Sequence, residues 1–355
     1  MIRLLIADDS ALIRRLFSEI FAAEADFEIA VARDGAEALR QLAAFQPDVI
    51  ALDLNMPELD GIACLDRIMI ERPTPVVIVS ALTEEGAEQT LRALELGAVD
   101  VVAKPSGALS LKMDRFGPHL IRVIRMAAQT RVSLARRLAE RVRRRMAPAA
   151  RRPPSPPQKP SPAKTGVVVI GCSTGGPSAL DAVLGALPAD FPWPVVVAQH
   201  MPATFTGALA RRLNGVTPLE VQEVSRATPL RPGGVYIGRG DADLLVSARA
   251  GGLVAVAAPE SPQFLWHPSV DRLTDSVLAH VAPAEIVGVL MTGMGYDGAA
   301  AMTRLRAAGG RTIAEAESTA VVWGMPGELV KAGGADWIEP LDRIGRRLAE
   351  MALAS

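Results

Sequence analysis

Short apolar runs alternate with helical patterns of period 3.6 along most of the chain. In the first 126 residues the runs at 4–7, 28–32, 49–53, 76–80 and 100–102 read as buried strands. Helical patterns fill the gaps at 11–23, 36–45, 62–71 and 87–96, and another begins near Leu111. Strict strand–helix alternation predicts a five-stranded parallel sheet wound on both faces.

The pattern resumes at residue 165. Strands are expected at 167–170, 195–198, 286–290 and 312–314, with helices at 179–187, 205–214, 270–281 and 341–352. Residues 235–237, with 244–247 and 253–257 joined across Ala250-Gly251-Gly252, read as an antiparallel insertion. The expected class is thus α/β throughout: two doubly wound domains, the second Rossmann-like and mostly parallel. The boundaries expected are 1–126, a connecting segment at 127–164, and 165–355.

That connecting segment has a different character. Residues 116–146 are helical in pattern, and 147–164 contain seven prolines, which suit a semi-rigid extended spacer. From Arg115 to Lys164 there are fourteen Lys or Arg against the single acid Glu140, while the whole chain carries a net charge of −1. The rest of the chain is therefore about fourteen negative. The basic stretch reads as a solvated helix or as an arm for an acidic partner.

Composition narrows the class further. Hydrophobic residues make up 49% of the 355 and aromatics only 4%, so the cores must be aliphatic. The near-zero net charge gives no reason to expect nucleic acid. The two cysteines, Cys64 and Cys172, are far apart and suggest a reducing compartment. The first apolar run is cut by Asp8-Asp9, and no run reaches the length of a membrane span. A soluble, cytoplasmic protein, not inserted in a membrane, is expected.

Polar residues gather at the carboxyl ends of the first domain's strands: Asp8 and Asp9, Asp53, Ser80, then Lys104. Ligands bind at this rim in such sheets. Three carboxylates there repel one another unless a hard cation such as Mg²⁺ sits among them. Asp53 beside such a metal suits a phosphoryl acceptor, with Ser80 and Lys104 holding the phosphoryl oxygens. Together with Ala-Asp-Asp-Ser (7–10), Leu-Asp-Leu-Asn-Met-Pro (52–57), Asp60-Gly61 and Ala103-Lys104-Pro105, this segment resembles the receiver domains of two-component response regulators. The resemblance implies a flavodoxin-like fold and phosphorylation of Asp53 by a histidine kinase. It also implies Mg²⁺ at Asp9, Asp53 and the Asn55 carbonyl. Val101 stands where receivers often carry an aromatic switch residue.

The second domain is organised around Val-Val-Val-Ile-Gly-Cys-Ser-Thr-Gly-Gly-Pro (167–177), a strand running through glycines into a helix. Three readings fit that turn. It approaches a dinucleotide fingerprint, but Ser173 replaces the middle glycine and the next strand ends in Gln199-His200 rather than an acid. It fits Gly-x-Ser-x-Gly, a nucleophile elbow. It also fits a plain glycine-rich turn with a capping serine. Cys172 reads as core filler or as an alternative thiol nucleophile. Partners favour the elbow. His200 and Asp297 also lie just past apolar strands, and of the four histidines (His119, His200, His267, His280) only His200 is at a strand terminus. A serine, a histidine and an aspartate on one rim make a hydrolytic triad. The order Ser, His, Asp is not that of the α/β-hydrolases.

Ile-Gly-Cys-Ser-Thr-Gly-Gly-Pro (170–177), Gln-His-Met-Pro (199–202), Pro-Ser-Val-Asp (268–271), Thr-Gly-Met-Gly-Tyr-Asp-Gly (292–298) and Gly-Met-Pro (324–326) resemble the catalytic domain of chemotaxis protein-glutamate methylesterases. Those enzymes also carry an amino-terminal receiver. The resemblance implies hydrolysis of γ-glutamyl methyl esters on chemoreceptors and, in some members, deamidation of receptor glutamines, with no cofactor for the esterase. It implies Ser173 as nucleophile, His200 as base and Asp297 as its orienter. Thr174 would position His200, and the Met294 N–H would line an oxyanion hole. The rival classes are a receiver with a binding output and a nucleotide-dependent oxidoreductase.

Overall fold

The computed structural model describes residues 1–80, 83–104, 109–130 and 166–353. They fall into two compact units, one before and one after residues 131–165. The basic helix expected beyond residue 130 and the proline spacer lie outside the described residues.

The first unit alternates β1 (Ile2–Ala7), α1 (Ala11–Ala22), β2 (Phe27–Ala32), α2 (Gly35–Ala44), β3 (Val49–Leu52), α3 (Gly61–Glu71), β4 (Val76–Ser80), α4 (Glu84–Leu96), β5 (Asp100–Ala103) and α5 (Leu109–Ala128). Its sheet has the order β2-β1-β3-β4-β5 and is parallel throughout. Every residue of β3 and β4 is buried, as interior strands covered on both faces require. The helices start where short polar side chains accept an orphan N–H: Ser10 from Ile13, Asp34 from Glu37, Asp60 from Ala63, Thr83 from Gly86.

In the second unit β6 (Val167–Cys172), β7 (Val195–Gln199), β8 (Glu220–Val224), β10 (Gly234–Gly238), β13 (Ile286–Leu290), β14 (Arg311–Glu315) and β15 (Trp337–Glu339) make one parallel sheet. The strand order is β15-β14-β13-β6-β7-β10-β8. A separate antiparallel sheet holds β9 (Thr228–Pro229), β11 (Asp243–Arg249) and β12 (Gly252–Ala258), in the order β11-β12-β9.

One expectation is corrected here. Residues 235–237 do not belong to the antiparallel insertion. They form the middle of β10, between β7 and β8 in the parallel sheet. Val235, Tyr236 and Ile237 are all buried, and a short apolar run alone does not say which sheet it joins. Strands β8 and β15 were not anticipated either. The first is an edge strand carrying Glu220, Gln222 and Glu223, and the second has only three residues.

β6 is the pivot of this sheet. The chain moves from β6 to β7 on one side, then returns to β13 on the other, so the order reverses beside β6. The crevice beyond the carboxyl end of such a strand is where open α/β sheets bind ligands. The turn after β13 closes on Gly298, whose φ of 90° caps the helix Ala299–Ala307. A Cβ there would stand 2.6 Å from Val270 Cγ1 and 2.8 Å from Leu290 Cδ1. Gly298→Ala should therefore destabilise the second unit by about 1–3 kcal/mol. All four tryptophans lie in that unit, so their fluorescence in a urea titration reports its unfolding. An unchanged midpoint would mean that the turn relaxes freely.

Candidate active site

Parallel pairing sets the first link. Cys172 is in register with Gln199, so Ser173 and His200 are the next residues on adjacent strands, and the His200 N–H donates to Cys172 O at 3.0 Å. Gln199 is buried and its amide joins the two turns. Its Nε2 donates to Ser173 O at 2.9 Å and to His200 O at 3.0 Å, and its Oε1 accepts from Cys172 Sγ at 3.0 Å. Gly176 must be glycine because a Cβ would overlap that amide. Cys172 is fully buried, and burial pushes its thiol well above the ordinary range, so it has no thiolate character.

The loop after β13 closes over the serine turn. Ser173 N donates to Thr292 O at 2.9 Å, and Thr292 Oγ1 donates to Thr174 O at 2.9 Å. Thr292 N in turn donates to the buried Glu315 Oε2 at 2.8 Å. A Cβ on Gly293 would stand 2.8 Å from Ser173 Cβ, so this backbone approaches the serine as closely as atoms allow. Among the described residues the next N–H, that of Met294, has no protein acceptor.

Asp297, at 2% exposure, completes the arrangement. His200 Nε2 lies 2.8 Å from Asp297 Oδ2. The same carboxylate accepts from Val270 N at 2.7 Å, Asp271 N at 3.1 Å and Ser269 Oγ at 3.0 Å. It thus sits on the N-terminus of the helix Val270–Leu278, where backbone dipoles favour negative charge. Burial alone would raise its proton affinity. The hydrogen bond and charge of His200, with the two amides, outweigh burial and hold the carboxyl below the usual range. An N–H on His200 Nε2 pointing at this carboxylate leaves Nδ1 as the lone-pair nitrogen. Nδ1 is buried and has no hydrogen-bond partner, and Ser173 Oγ has none among the described residues.

Ser173, His200 and Asp297 are therefore gathered on one rim, with Thr174 and Met294 beside them. Sequence reasoning missed what surrounds them. Trp266 stacks on the His200 ring, and Ser269 and Asp243 hold the helix start beneath Asp297. Ser269 was legible as a helix cap in Pro-Ser-Val-Asp; Trp266 and Asp243 carried no local signal.

The first unit has its own polar rim. Register places Ala7 beside Leu52 and Ser80 beside Ala103, which brings Asp8, Asp53, Ser80 and Lys104 to adjacent strand ends. Carboxylate oxygens of Asp8, Asp9 and Asp53 lie within 4.8 Å of one another. Lys104 Nζ lies 2.8 Å from both Asp8 Oδ2 and Asp53 Oδ2. Burial, reinforced by the charge of Asp8, raises the proton affinity of Asp53 despite the ammonium. Burial opposes the charge on Lys104, but the two carboxylates more than compensate and raise its pKa. Asn55 N–H reaches Asp53, and Val101 is buried.

The family model described as CheB methylesterase matches residues 168–348, and that described as response regulator receiver domain matches residues 4–113. A protein-glutamate methylesterase/protein-glutamine glutaminase of Rhodopseudomonas palustris is 55% identical over 99% of this chain and 98% of its own length. One from Rhodospirillum rubrum is 51% identical over 98% of this chain and 95% of its own. The crystal structure of the Thermotoga maritima CheB methylesterase catalytic domain superposes with a TM-score of 0.51 at 37% identity, over 53% of this chain and 99% of that one. With both halves matched in order and relatives aligned nearly end to end, the chain belongs to the receiver-bearing protein-glutamate methylesterase family.

Proposed function

We propose that the chain is a phosphorylation-activated serine esterase that removes methyl groups from glutamyl esters of chemoreceptors in the cytoplasm, as part of chemotaxis or a related pathway. The observation that carries the reading is His200 bound through Nε2 to a buried, ionised Asp297 while Nδ1 is left open beside the Ser173 turn. In this reading residues 1–126 form the receiver, 127–164 the connection and 165–355 the catalytic domain.

Ser173 Oγ attacks the ester carbonyl as its proton passes to His200 Nδ1. Asp297 holds the imidazole in the tautomer that accepts at Nδ1 and stabilises the imidazolium that results. The tetrahedral oxyanion is met by the unpaired Met294 N–H, which costs no reorganisation when charge develops. Thr174, tied through its carbonyl to Thr292, keeps the serine turn in place. The imidazolium returns its proton to the leaving methoxide, and methanol departs. Water, deprotonated by the same nitrogen, hydrolyses the acyl-enzyme. An amide substrate would follow the same course with ammonia leaving, which fits the second activity in the relatives' names.

At the first rim, a histidine kinase or a small phosphodonor would phosphorylate Asp53, with Ser80 and Lys104 meeting the phosphoryl oxygens. The oxygen-only donor set of Asp8, Asp9 and Asp53 fits Mg²⁺, with Asn55 contributing its carbonyl. The ion would offset the charge of an incoming phosphoryl group. Among the described residues no helix is long and apolar enough to cross a membrane.

Ser173→Ala and His200→Ala should each lower methanol release from methylated receptor by about 10⁴-fold or more, and the double variant should be little worse than either. Near wild-type turnover in Ser173→Ala would remove the nucleophile assignment. Asp297→Asn should cost roughly 10²–10⁴-fold while retaining measurable turnover, because its part is orientation and charge. A fully active Asp297→Asn would place the supporting acid elsewhere. Asp53→Asn, assayed with a small phosphodonor and Mg²⁺, should lose the phosphodonor-dependent rise in rate. The rise should also vanish in wild type when the divalent cation is chelated. Stimulation surviving in Asp53→Asn would put the acceptor on another residue.

A further inference from the structure

Every polar atom of the His200 ring is accounted for by the triad, but one face of the ring is not. Trp266 lies over that face, with ring centroids 5.8 Å apart and planes only 4° from parallel. The indole is pinned from several directions. Tyr296 meets it edge-on, at 5.0 Å and 86°. Gly295, at φ 85°, lets the backbone pass beneath it, and a Cβ there would stand 2.6 Å from the indole ring. The neighbouring residue, His267, places Nδ1 3.0 Å from Asp243 Oδ1, and the same carboxylate accepts from Ser269 N at 2.8 Å and pairs with Arg272. A side chain packed in this way is not a loose surface ring.

We infer that Trp266 is a positioning residue of this site: its π face holds the His200 imidazole in the orientation that leaves Nδ1 open and stabilises the imidazolium formed when Nδ1 takes the serine proton. This rests on the reading of His200 as the base. A neutral imidazole gains little from the quadrupole of an indole. A cationic one within about 6 Å of the best of the aromatic faces gains substantially. The contact is therefore stronger in the transition state than before it, which is the condition for raising the rate. Asp297 supplies stabilisation in the plane of the ring, and the indole supplies it from above, where water would otherwise solvate the charge. The ionisable and charged groups around the ring are Asp297 and Tyr296 on the loop after β13 and Cys172 at the end of β6. His267, Asp271 and Arg272 lie around the start of the helix Val270–Leu278, with Asp243 behind them. None of these except Asp297 bonds the imidazole.

Trp266→Leu keeps the face covered by apolar surface but removes the π system, and Trp266→Phe keeps a smaller one. Two readouts on the full chain separate the outcomes. The first is an NMR titration of the His200 imidazole, identified among four histidines by its absence in His200→Gln. The second is the pH profile of kcat/KM for methanol release. In Trp266→Leu the His200 titration should move to lower pH, a loss of about threefold or more in proton affinity. The acid limb of kcat/KM should move the same way, and kcat should fall about 3–30-fold with KM changed less than twofold. Trp266→Phe should retain most of the wild-type behaviour. Replacing all tryptophans by 5-fluorotryptophan weakens the π face without changing its shape, and should move the titration in the same direction by a smaller step.

An unmoved or upward-moving titration in Trp266→Leu overturns the inference, since the indole would then act only as packing. If that variant does not fold, an unmoved titration in the fluorinated protein overturns it equally. The NMR readout needs no turnover. Absence of methanol release in the wild type would therefore sink the esterase reading, while the titration would still decide what the indole does to the histidine.

Discussion

The esterase rim depends on keeping one carboxylate charged where water hardly reaches it. Asp297 is 2% exposed, and an uncompensated charge at that depth would take up a proton rather than stay ionised. Four donors prevent this: the imidazole, the Ser269 hydroxyl and two amides at the start of a helix. Two of these donors are themselves anchored. Ser269 caps the helix, Asp243 holds the Ser269 N–H, and Asp271 bonds Ala301 N at the start of the next helix. The geometry of the His200–Asp297 pair is thus inherited from a set of helix starts rather than from one contact. Removing any single donor leaves the rest buried with reduced compensation, which is why such networks behave as units.

The Ser173 side is built on the same logic with backbone atoms. Thr292 binds in three directions at once, to Ser173 N through its carbonyl, to Thr174 O through its hydroxyl and to Glu315 through its amide. The Glu315 carboxylate also accepts from Thr319 Oγ1, and its carbonyl accepts from the Trp323 indole. A buried carboxylate at the end of β14 therefore ties together the loops that flank the serine. Val322 O accepts the Gly293 N–H, and Gly293 O accepts from Gly324 and Met325, so the segment before Met294 is held on both sides. An N–H held in this way can meet an oxyanion without first rearranging, and that rigidity is what makes a preorganised donor effective.

Much of this was legible in the sequence, for reasons that differ between fold and site. Strands β3, β4, β6, β7 and β13 announced themselves because parallel strands buried on both faces are continuous apolar runs. Ser173, His200 and Asp297, the proposed triad, could be grouped because each follows such a run, and parallel register carries strand ends to one rim. What escaped notice were features defined by neighbours distant in sequence. Residues 235–237 were read into the wrong sheet because three apolar residues carry no address. Strand β8 escaped because an edge position lets it keep charged residues. Neither Trp266 nor Asp243 entered the sequence reading, which began the hairpin strand at Leu244. Only the folded chain gives Trp266 a histidine to cover and Asp243 a helix start to hold.

The two rims show the same architecture solving opposite electrostatic problems. In the first unit Asp8 and Asp53 are both nearly inaccessible, and Lys104 lies 2.8 Å from each. One ammonium between two carboxylates leaves the cluster negative, and the exposed Asp9 adds to that. Such an oxygen-only cluster suits a divalent cation. In the second unit one buried carboxylate meets one imidazole and the amides of a helix start. Under the proposed function the first rim changes state when a phosphoryl charge arrives. Under the same reading the second lets a charge appear and disappear within one turnover while the surrounding atoms stay where they are.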